Sequence, residues 1–421
     1  MARSVVEISG HIIDSLILPK VLDLIVNLGA EFEILDIKIG HRRSDRSYAR
    51  IQVDAPTPEE LDRVLARLKE HGALPASEEI EPARLEPAPA DGVFPDRFYS
   101  TTNLPTWVRV GDRWIQVEPS EMDCGIRVDL EAMRAECVPI HRVRKGDSIV
   151  VGHRGVKIQP VERQVPREAF EFMSSAVSTE QPKGLLIQEI AEAMKSVRRE
   201  NGRILVVAGP GLVHTGAGRY LVRLIEGGYV QVLFAGNGLA VHDIESALYG
   251  TSLGVYLDKK IRTAEGHEHH LWAINEIRKA GSIRQAVEKG VLRSGIFYSC
   301  IRYGVDFVLA GSIRDDGPLP DVVTDTLRAQ DIMREKIRGV RFALMMATTL
   351  HAIATGNLLP ATVKTVCVDI NPAVVTKLAD RGTFQAMGLV TDVEPFLREL
   401  CQCLALEARQ AEPRAQDGAA T

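Results

Sequence analysis

The sequence lacks the marks of several functional classes. Its six cysteines (Cys124, Cys137, Cys300, Cys367, Cys401 and Cys403) form no C-x-x-C pair and no zinc-ligand spacing. Reduced thiols are therefore expected, rather than a disulfide framework. There is no H-E-x-x-H, and His267 and His270 in GHEHH would need a further ligand from elsewhere, so no metal is expected. The first ten residues, MARSVVEISG, lack the apolar core of a signal peptide. No apolar run approaches the ~18 residues of a membrane span. These absences predict a cytoplasmic protein with no membrane partner. A formal net charge of −5 gives no electrostatic footprint for nucleic acid. At 421 residues the chain is long enough for two or three domains and a sizeable core.

What is present is a rhythm of short apolar runs closed by small or polar loops. Residues 203–245 set it: RILVVAGPGLVHTGAGRYLVRLIEGGYVQVLFAGNGLAVHDIE. Two runs, 204–208 and 230–235, stop at Gly209 and Gly236. Runs this short and rich in β-branched residues read as buried parallel strands. Between them, Tyr220, Leu221, Leu224 and Ile225 recur at helical spacing. The result is the strand–helix–strand crossover of an open parallel sheet. Glycines at the carboxyl ends of such strands let backbone N–H groups approach a phosphate. The first turn departs from the dinucleotide fingerprint, however. Gly209 and Gly211 fit G-x-G, but His214 stands where the third glycine belongs.

The pattern recurs. Residues 306–310 (DFVLA) run into Gly311 and SIRDDGPLP, and 342–347 (FALMMA) run into TTLH. Residues 363–370 (VKTVCVDI) carry Asp369 near their end, and Asn371 and Pro372 then open a helix with a cap and a first-turn proline. The plain reading is a doubly wound sheet with ordinary turns. The sharper one is a dinucleotide site along the carboxyl edge, favoured because these loops concentrate Gly, Asn, Asp, Thr and His. Asp369 suits the hydroxyls of an adenosine ribose.

Upstream, residues 4–73 follow a β-α-β-β-α order, most of a ferredoxin-like unit. The run 31–39 reads as a half-buried strand, and Thr57 as the cap of a helix over 58–71. Such units often bind small ligands or dimerise, and as often are plain structure; a homo-oligomer is the expected assembly. Residues 78–95, with four prolines between Pro82 and Pro95, read as a tether. A β-rich block follows, with a hairpin turning at Gly111 and Asp112 and further strands over 138–143 and 148–151. Its loop EPSEMDCGIR gathers Glu121, Asp123, Cys124 and Arg127, either a solvated loop or the place of substrate contacts. Cys124 is expected to be a packed small residue. The expected fold is thus α/β: a Rossmann-like parallel-sheet domain over 166–410. A ferredoxin-like α+β unit over 1–95 and a β-rich block over 96–165 precede it, and a frayed tail over 411–421 closes the chain.

Several longer motifs resemble one family. They are SGHIIDSLILPKVLDLIVNLGAEFEILDIKIG, YSTTNLPTWVRVGDRWIQVEPSEMDCGI, GNGLAVHDIE, GSIRDDGPLP, ATTLHAIATGN and CVDINP. Together they resemble the archaeal-type ornithine cyclodeaminase family, which shares a domain with lysine-ketoglutarate reductase/saccharopine dehydrogenase proteins. The resemblance runs from about Ser4 to Leu400. It implies NAD as cofactor, on a sheet similar to the deoxyhypusine synthase type of Rossmann domain. It places NAD contacts at Asn237, Gly238, Asp315 or Asp316, Thr348, Thr349, Leu350, His351, Asp369, Asp392 and Val393. At Gly238 and Thr349 the contact is expected through backbone.

The implied activity converts L-ornithine to L-proline and ammonia with no net redox change, by a hydride that leaves the substrate Cα and returns. Such a site must hold a carboxylate with a cation, seat the δ-ammonium beside carboxylates, free each amine of a proton and exclude water. From residue type alone, Asp123 and Glu121 are candidate δ-amine partners and Arg127 a candidate carboxylate partner. Asp315 or His351 could move protons near the nicotinamide. Two other readings stay open. One is another NAD-dependent dehydrogenase of an amino acid or polyamine. The other is a non-catalytic module sensing NAD or an amino acid.

Overall fold

The computed structural model describes residues 2–10, 12, 17–40, 45, 47–69, 71–75, 82–159, 183–252, 255–256, 269–315, 317–380 and 386–406. The chain divides into two compact units. The first comprises Met1–Ser174, Ala354–Lys364 and Leu378–Ala386; the second comprises Ser175–Ile353, Thr365–Lys377 and Met387–Thr421.

In the first unit, strands Ala2–Gly10 and Ser47–Ala55 pair antiparallel along their whole length. Alternation sends Ala49, Ile51, Val53 and Ala55 inward to complete burial. Helices Ile17–Asn27 and Pro58–Lys69 cover them with Leu18, Val21 and Ile25 and with Leu61, Val64 and Leu68. Thr57 caps the second helix, its Oγ1 accepting from the Glu60 N–H at 3.2 Å. A short strand, Leu74–Pro75, joins on the far side of Ala2–Gly10, so the sheet order is Glu31–Lys38, Ser47–Ala55, Ala2–Gly10, Leu74–Pro75. That is a complete ferredoxin-like β-α-β-β-α-β unit.

Glu31–Lys38 corrects the reading as a half-buried strand. All eight residues are exposed, Phe32, Ile34, Leu35 and Ile37 included. The strand is a sheet edge, and its register shifts between Ile34 and Asp36. Alternation in sequence registers the pleat but not whether anything covers it.

The β-rich part holds two small sheets, one of Arg84–Pro87, Ser148–Val151, Gly125–Asp129 and Arg134–Val138, the other of Val156–Ile158, Thr106–Val110 and Arg113–Gln116. Val108, Val117, Ile126 and Val150 meet in their core. The hairpin turns at Gly111, whose φ of 57° is open to glycine at no steric cost. Two readings are corrected here. Arg84–Pro87 is a paired strand rather than part of a tether. The strand expected over 138–143 ends at Val138, because Pro139 has no N–H to give a ladder, and Ile140–Arg142 is a 3-10 turn.

The second unit is built on a seven-stranded sheet. Its order is Val322–Val323, Asp306–Ala310, Val232–Gly236, Arg203–Ala208, Val340–Met346, Lys364–Asp369, Ala386–Val390. The pairs Arg203–Ala208 with Val232–Gly236 and with Val340–Met346 are parallel, as are those of Asp306–Ala310 with both its neighbours. Ile204, Leu205, Val206, Val207 and Phe342 to Met346 are wholly buried, which is why these strands read as unbroken apolar runs. Gly218–Glu226 buries Tyr220, Leu221, Leu224 and Ile225 as its spacing predicts. Residues 321–338 give the edge strand Val322–Val323 and a helix Thr326–Lys336 capped by Asp325.

The strand order places the candidate site. From Arg203–Ala208 the chain steps outward in one direction, then returns to Val340–Met346 and steps outward in the other. The reversal falls between these two strands, and at such a point the loops part and leave a crevice at the carboxyl ends.

Candidate active site

At the reversal, two backbones come very close. A Cβ on Gly209 would lie 1.9 Å from the carbonyl oxygen of Ala347, so no larger residue fits. Ala347 itself takes a φ of 50°, a left-handed conformation that costs a residue with a Cβ about 1–2 kcal/mol. The strained turn aims Thr348, Thr349 and the 74%-exposed Leu350 away from the core, and helix Leu350–Leu358 begins there. His351, in its first turn, packs over the end of strand Val232–Gly236, 3.3 Å from where a Gly236 Cβ would stand. Burial holds the His351 imidazolium below its ordinary pKa, and the Asp315 carboxylate pulls against that shift. Asp315 is fixed in turn, its Oδ2 accepting from the Ser312 N–H at 2.9 Å.

Gly236 leads into helix Asn237–Tyr249 with no side-chain cap on the helix start. Nothing lies within 4 Å of a Cβ position on Gly238, so the first turn is open. Asn237 is buried, and its Oδ1 accepts from the Leu319 N–H at 3.1 Å, tying this turn to the loop beyond Asp306–Ala310. Asp369 ends its strand 8% exposed, with Oδ1 accepting from the Asn371 N–H at 2.8 Å. Asn371 caps the next helix through the Ala373 N–H, as the sequence predicts. Asp392 caps helix Val393–Cys403 through the Glu394 N–H, and Val393 is packed in the core. Asp316 lies outside the described residues, as does His267.

The loop of the β-rich part forms a second cluster, within the first unit. Thr101 organises it: its Oγ1 donates to the Glu121 carbonyl at 2.6 Å and accepts from the Cys124 N–H at 3.1 Å. Asp123 has a φ of 60° and is exposed, while Glu121 is buried. Asn357 reaches this loop twice. Its carbonyl accepts from the Met122 N–H at 3.1 Å, and its Nδ2 faces Asp123 Oδ2 at 3.5 Å. Asn103 is 1% exposed with both amide atoms unpartnered, and Thr355 Oγ1 is also buried and unpartnered. Buried polar atoms without partners are costly, and a ligand commonly satisfies them. Cys124 is 1% exposed and packed, in keeping with the reading as a small core residue.

Arg127, expected to meet a substrate carboxylate, is committed elsewhere. Its guanidinium binds Glu136 through Nε and Nη2 and Asp147 through Nη1 at 3.1 Å, clamping its own sheet. Residue type suggested a ligand, but the cross-strand partners Glu136 and Asp147 take up its fork.

Sequence reasoning missed a linked polar group in the second unit. His242 Nδ1 meets Glu245 Oε2 at 3.3 Å, and Thr251 Oγ1 donates to Glu245 Oε1 at 2.9 Å. Thr251 Oγ1 also meets His269 Nδ1 at 2.8 Å. The His214 ring stands 4.8 Å from that of His242, centroid to centroid, with Nδ1 2.8 Å from Ser252 Oγ. Glu245 and Thr251 are wholly buried. The signal was available: His242 and Glu245 are three apart on one helix, one turn face to face.

Family models match three consecutive regions: the LOR/SDH bifunctional enzyme conserved region over 3–104, the first region of the C-terminal part of arginine dihydrolase ArgZ-like proteins over 105–187, and the Rossmann fold of that part over 188–400. An ornithine cyclodeaminase of Methanothermobacter thermautotrophicus is 54% identical over 393 residues, 93% of this chain and 95% of that protein. The chain belongs to the archaeal-type ornithine cyclodeaminase family.

Solved structures of this family's relatives share the fold. A conserved LOR/SDH protein from Methanococcus maripaludis is 51% identical with a TM-score of 0.74, over 77% of this chain and 99% of that one. AgrE of Nostoc sp. is a bifunctional arginine dihydrolase/ornithine cyclodeaminase. Its ternary complex with ornithine and NAD+ is 41% identical with a TM-score of 0.52, over 96% of this chain and 57% of AgrE. Among the described residues of this family member, no helix is long and apolar enough to cross a membrane.

Proposed function

We propose that this ornithine cyclodeaminase family member converts L-ornithine to L-proline and ammonia with NAD as a catalytic cofactor. The observation that carries the reading is the likeness, over 96% of this chain, to a relative crystallised with ornithine and NAD+.

The carboxyl edge of the sheet fits a dinucleotide. The start of Asn237–Tyr249 carries no side-chain cap, and the space at Gly238 is open, so its N–H groups suit a pyrophosphate. Asp369 offers a carboxylate to ribose hydroxyls. Ile313 and Ile370, in loops beyond strands, and Leu350, at the start of helix Leu350–Leu358, are fully or largely exposed and offer apolar surface to a ring. Bound there, NAD would supply a reversible hydride acceptor for the substrate Cα.

The chain's own residues do the rest. Within the first unit, Asp123 with Asn357 as its neighbour is the candidate partner of an ammonium group, and the buried Glu121 adds negative potential. His351, neutral because it is buried, takes a proton from a substrate amine and returns it, with Asp315 stabilising the imidazolium. Incubating the purified protein with ornithine and NAD at catalytic concentration tests the reading. Proline and ammonia should form in equal amounts with no accumulation of NADH. Accumulating NADH would establish a dehydrogenase instead.

A further inference from the structure

Freeing two amines of their protons, and protonating the ammonia that leaves, asks for more than one acid–base group. His351 accounts for one. The polar group around Glu245 supplies the features of a second. His214 ends the short helix Gly211–His214 that follows the central strand Arg203–Ala208, at the point where the strand order reverses. Its ring is partly open to solvent, and Ser252 holds its Nδ1, leaving Nε2 to take a proton. Behind it stand the His242 ring and, hydrogen-bonded to His242, the wholly buried Glu245 carboxylate. Thr251 fixes the other oxygen of that carboxylate, and His269 fixes Thr251.

We propose that His214 is a second acid–base residue of the ornithine reaction, and that His242 and Glu245 are its positioning residues. The proposal rests on the ornithine reading given above. His214 Nε2 accepts a proton as the ammonium N–H bond breaks, which leaves the lone pair on the substrate nitrogen. The imidazolium is stabilised by Glu245 across His242. The same proton then passes to the nitrogen that departs as ammonia, so none is gained or lost over the cycle. The electrostatics agree with the geometry. Burial and the neighbouring His242 hold His214 below the ordinary imidazole pKa, and Glu245 pulls it back up. His214 is therefore a free base at neutral pH, as the step requires. Among the described residues, His242 and Glu245 are the titratable neighbours that act on it.

Because these two neighbours act in opposite directions, a test separates this role from a structural tie. Glu245→Gln keeps shape and removes charge, so the His214 pKa should fall and the acidic limb of the kcat–pH profile should move to lower pH. His242→Gln removes the neighbour that lowers the His214 pKa, so the limb should move to higher pH. His214→Gln should lower kcat by about 100-fold or more and abolish the limb, with NAD affinity unchanged as the check on folding. Titration of the full-length variants labelled with 13C-histidine, followed by NMR, reads the His214 pKa without turnover. A kcat for His214→Gln within a few-fold of the parent overturns the proposal, as do shifts in the same direction or none at all. If the parent makes no proline from ornithine, the proposed function fails. The NMR titration then still decides whether Glu245 and His242 tune His214.

Discussion

A Cβ on Gly236 would stand 3.3 Å from Cε1 of His351, so the glycine that ends one strand is also the floor on which that imidazole rests. The glycines of this edge therefore do different work, which substitution can tell apart. At Gly209 a Cβ would meet the backbone oxygen of Ala347 at 1.9 Å, which cannot move without breaking the sheet end. Gly209→Ala should lower stability by roughly 1–3 kcal/mol, as overpacking does. At Gly238 the space is open and the backbone helical. Gly238→Ala should leave stability unchanged or raise it by about 1 kcal/mol, while weakening NAD binding if the pyrophosphate sits there. Denaturant melts and NAD titrations of the two variants check both halves.

Cofactor choice follows from Asp369. A carboxylate at the end of its strand favours ribose hydroxyls and repels a 2′-phosphate. NAD should bind much more tightly than NADP, and Asp369→Ala should narrow the gap. Equal affinities of the unmodified protein for the two cofactors would count against the placement.

Asp243 predicts a pH dependence of stability. It is buried, and its carboxylate accepts from the Ile296 and Phe297 N–H groups at 2.8 and 3.0 Å, capping helix Ile296–Tyr303 from a distance. Burial raises its pKa from 3.8 to about 6, against the two N–H groups that lower it. The folded state thus holds a proton that the unfolded state has released between these values, and stability falls as pH rises through that window. The loss is about 3 kcal/mol at most. Asp243→Asn should be less stable at pH 4, since one N–H loses its acceptor, yet show less decline toward pH 7. Melts at pH 4 and pH 7 measure the difference.

Asp123→Asn should retain the fold, because Asn tolerates the left-handed backbone that Asp123 adopts. Turnover of ornithine should collapse while NAD affinity holds. An unchanged turnover would move the amine site elsewhere.

Much of the fold was legible because period and punctuation carry it. The helix Gly218–Glu226 and the central strands follow directly from spacing and from Gly209 and Gly236. What misled was context that no local pattern encodes. The alternating Glu31–Lys38 forms a strand whose residues are all exposed, and Arg84–Pro87, within the proline-rich stretch, finds a partner in Ser148–Val151. In the site, cap residues such as Asn371 were readable from their neighbours. Arg127 was not, because its partners Glu136 and Asp147 are 9 and 20 residues away. The His214–His242 pair likewise exists only once two strand ends are brought together.

The most direct test of the account follows one hydrogen. Ornithine carrying deuterium at Cα, turned over with unlabelled NAD at catalytic concentration, should yield proline that retains the label at Cα, because the hydride leaves and returns within one site. Loss of the label to solvent would mean that a base removes that hydrogen as a proton, and the redox-neutral hydride mechanism would be wrong.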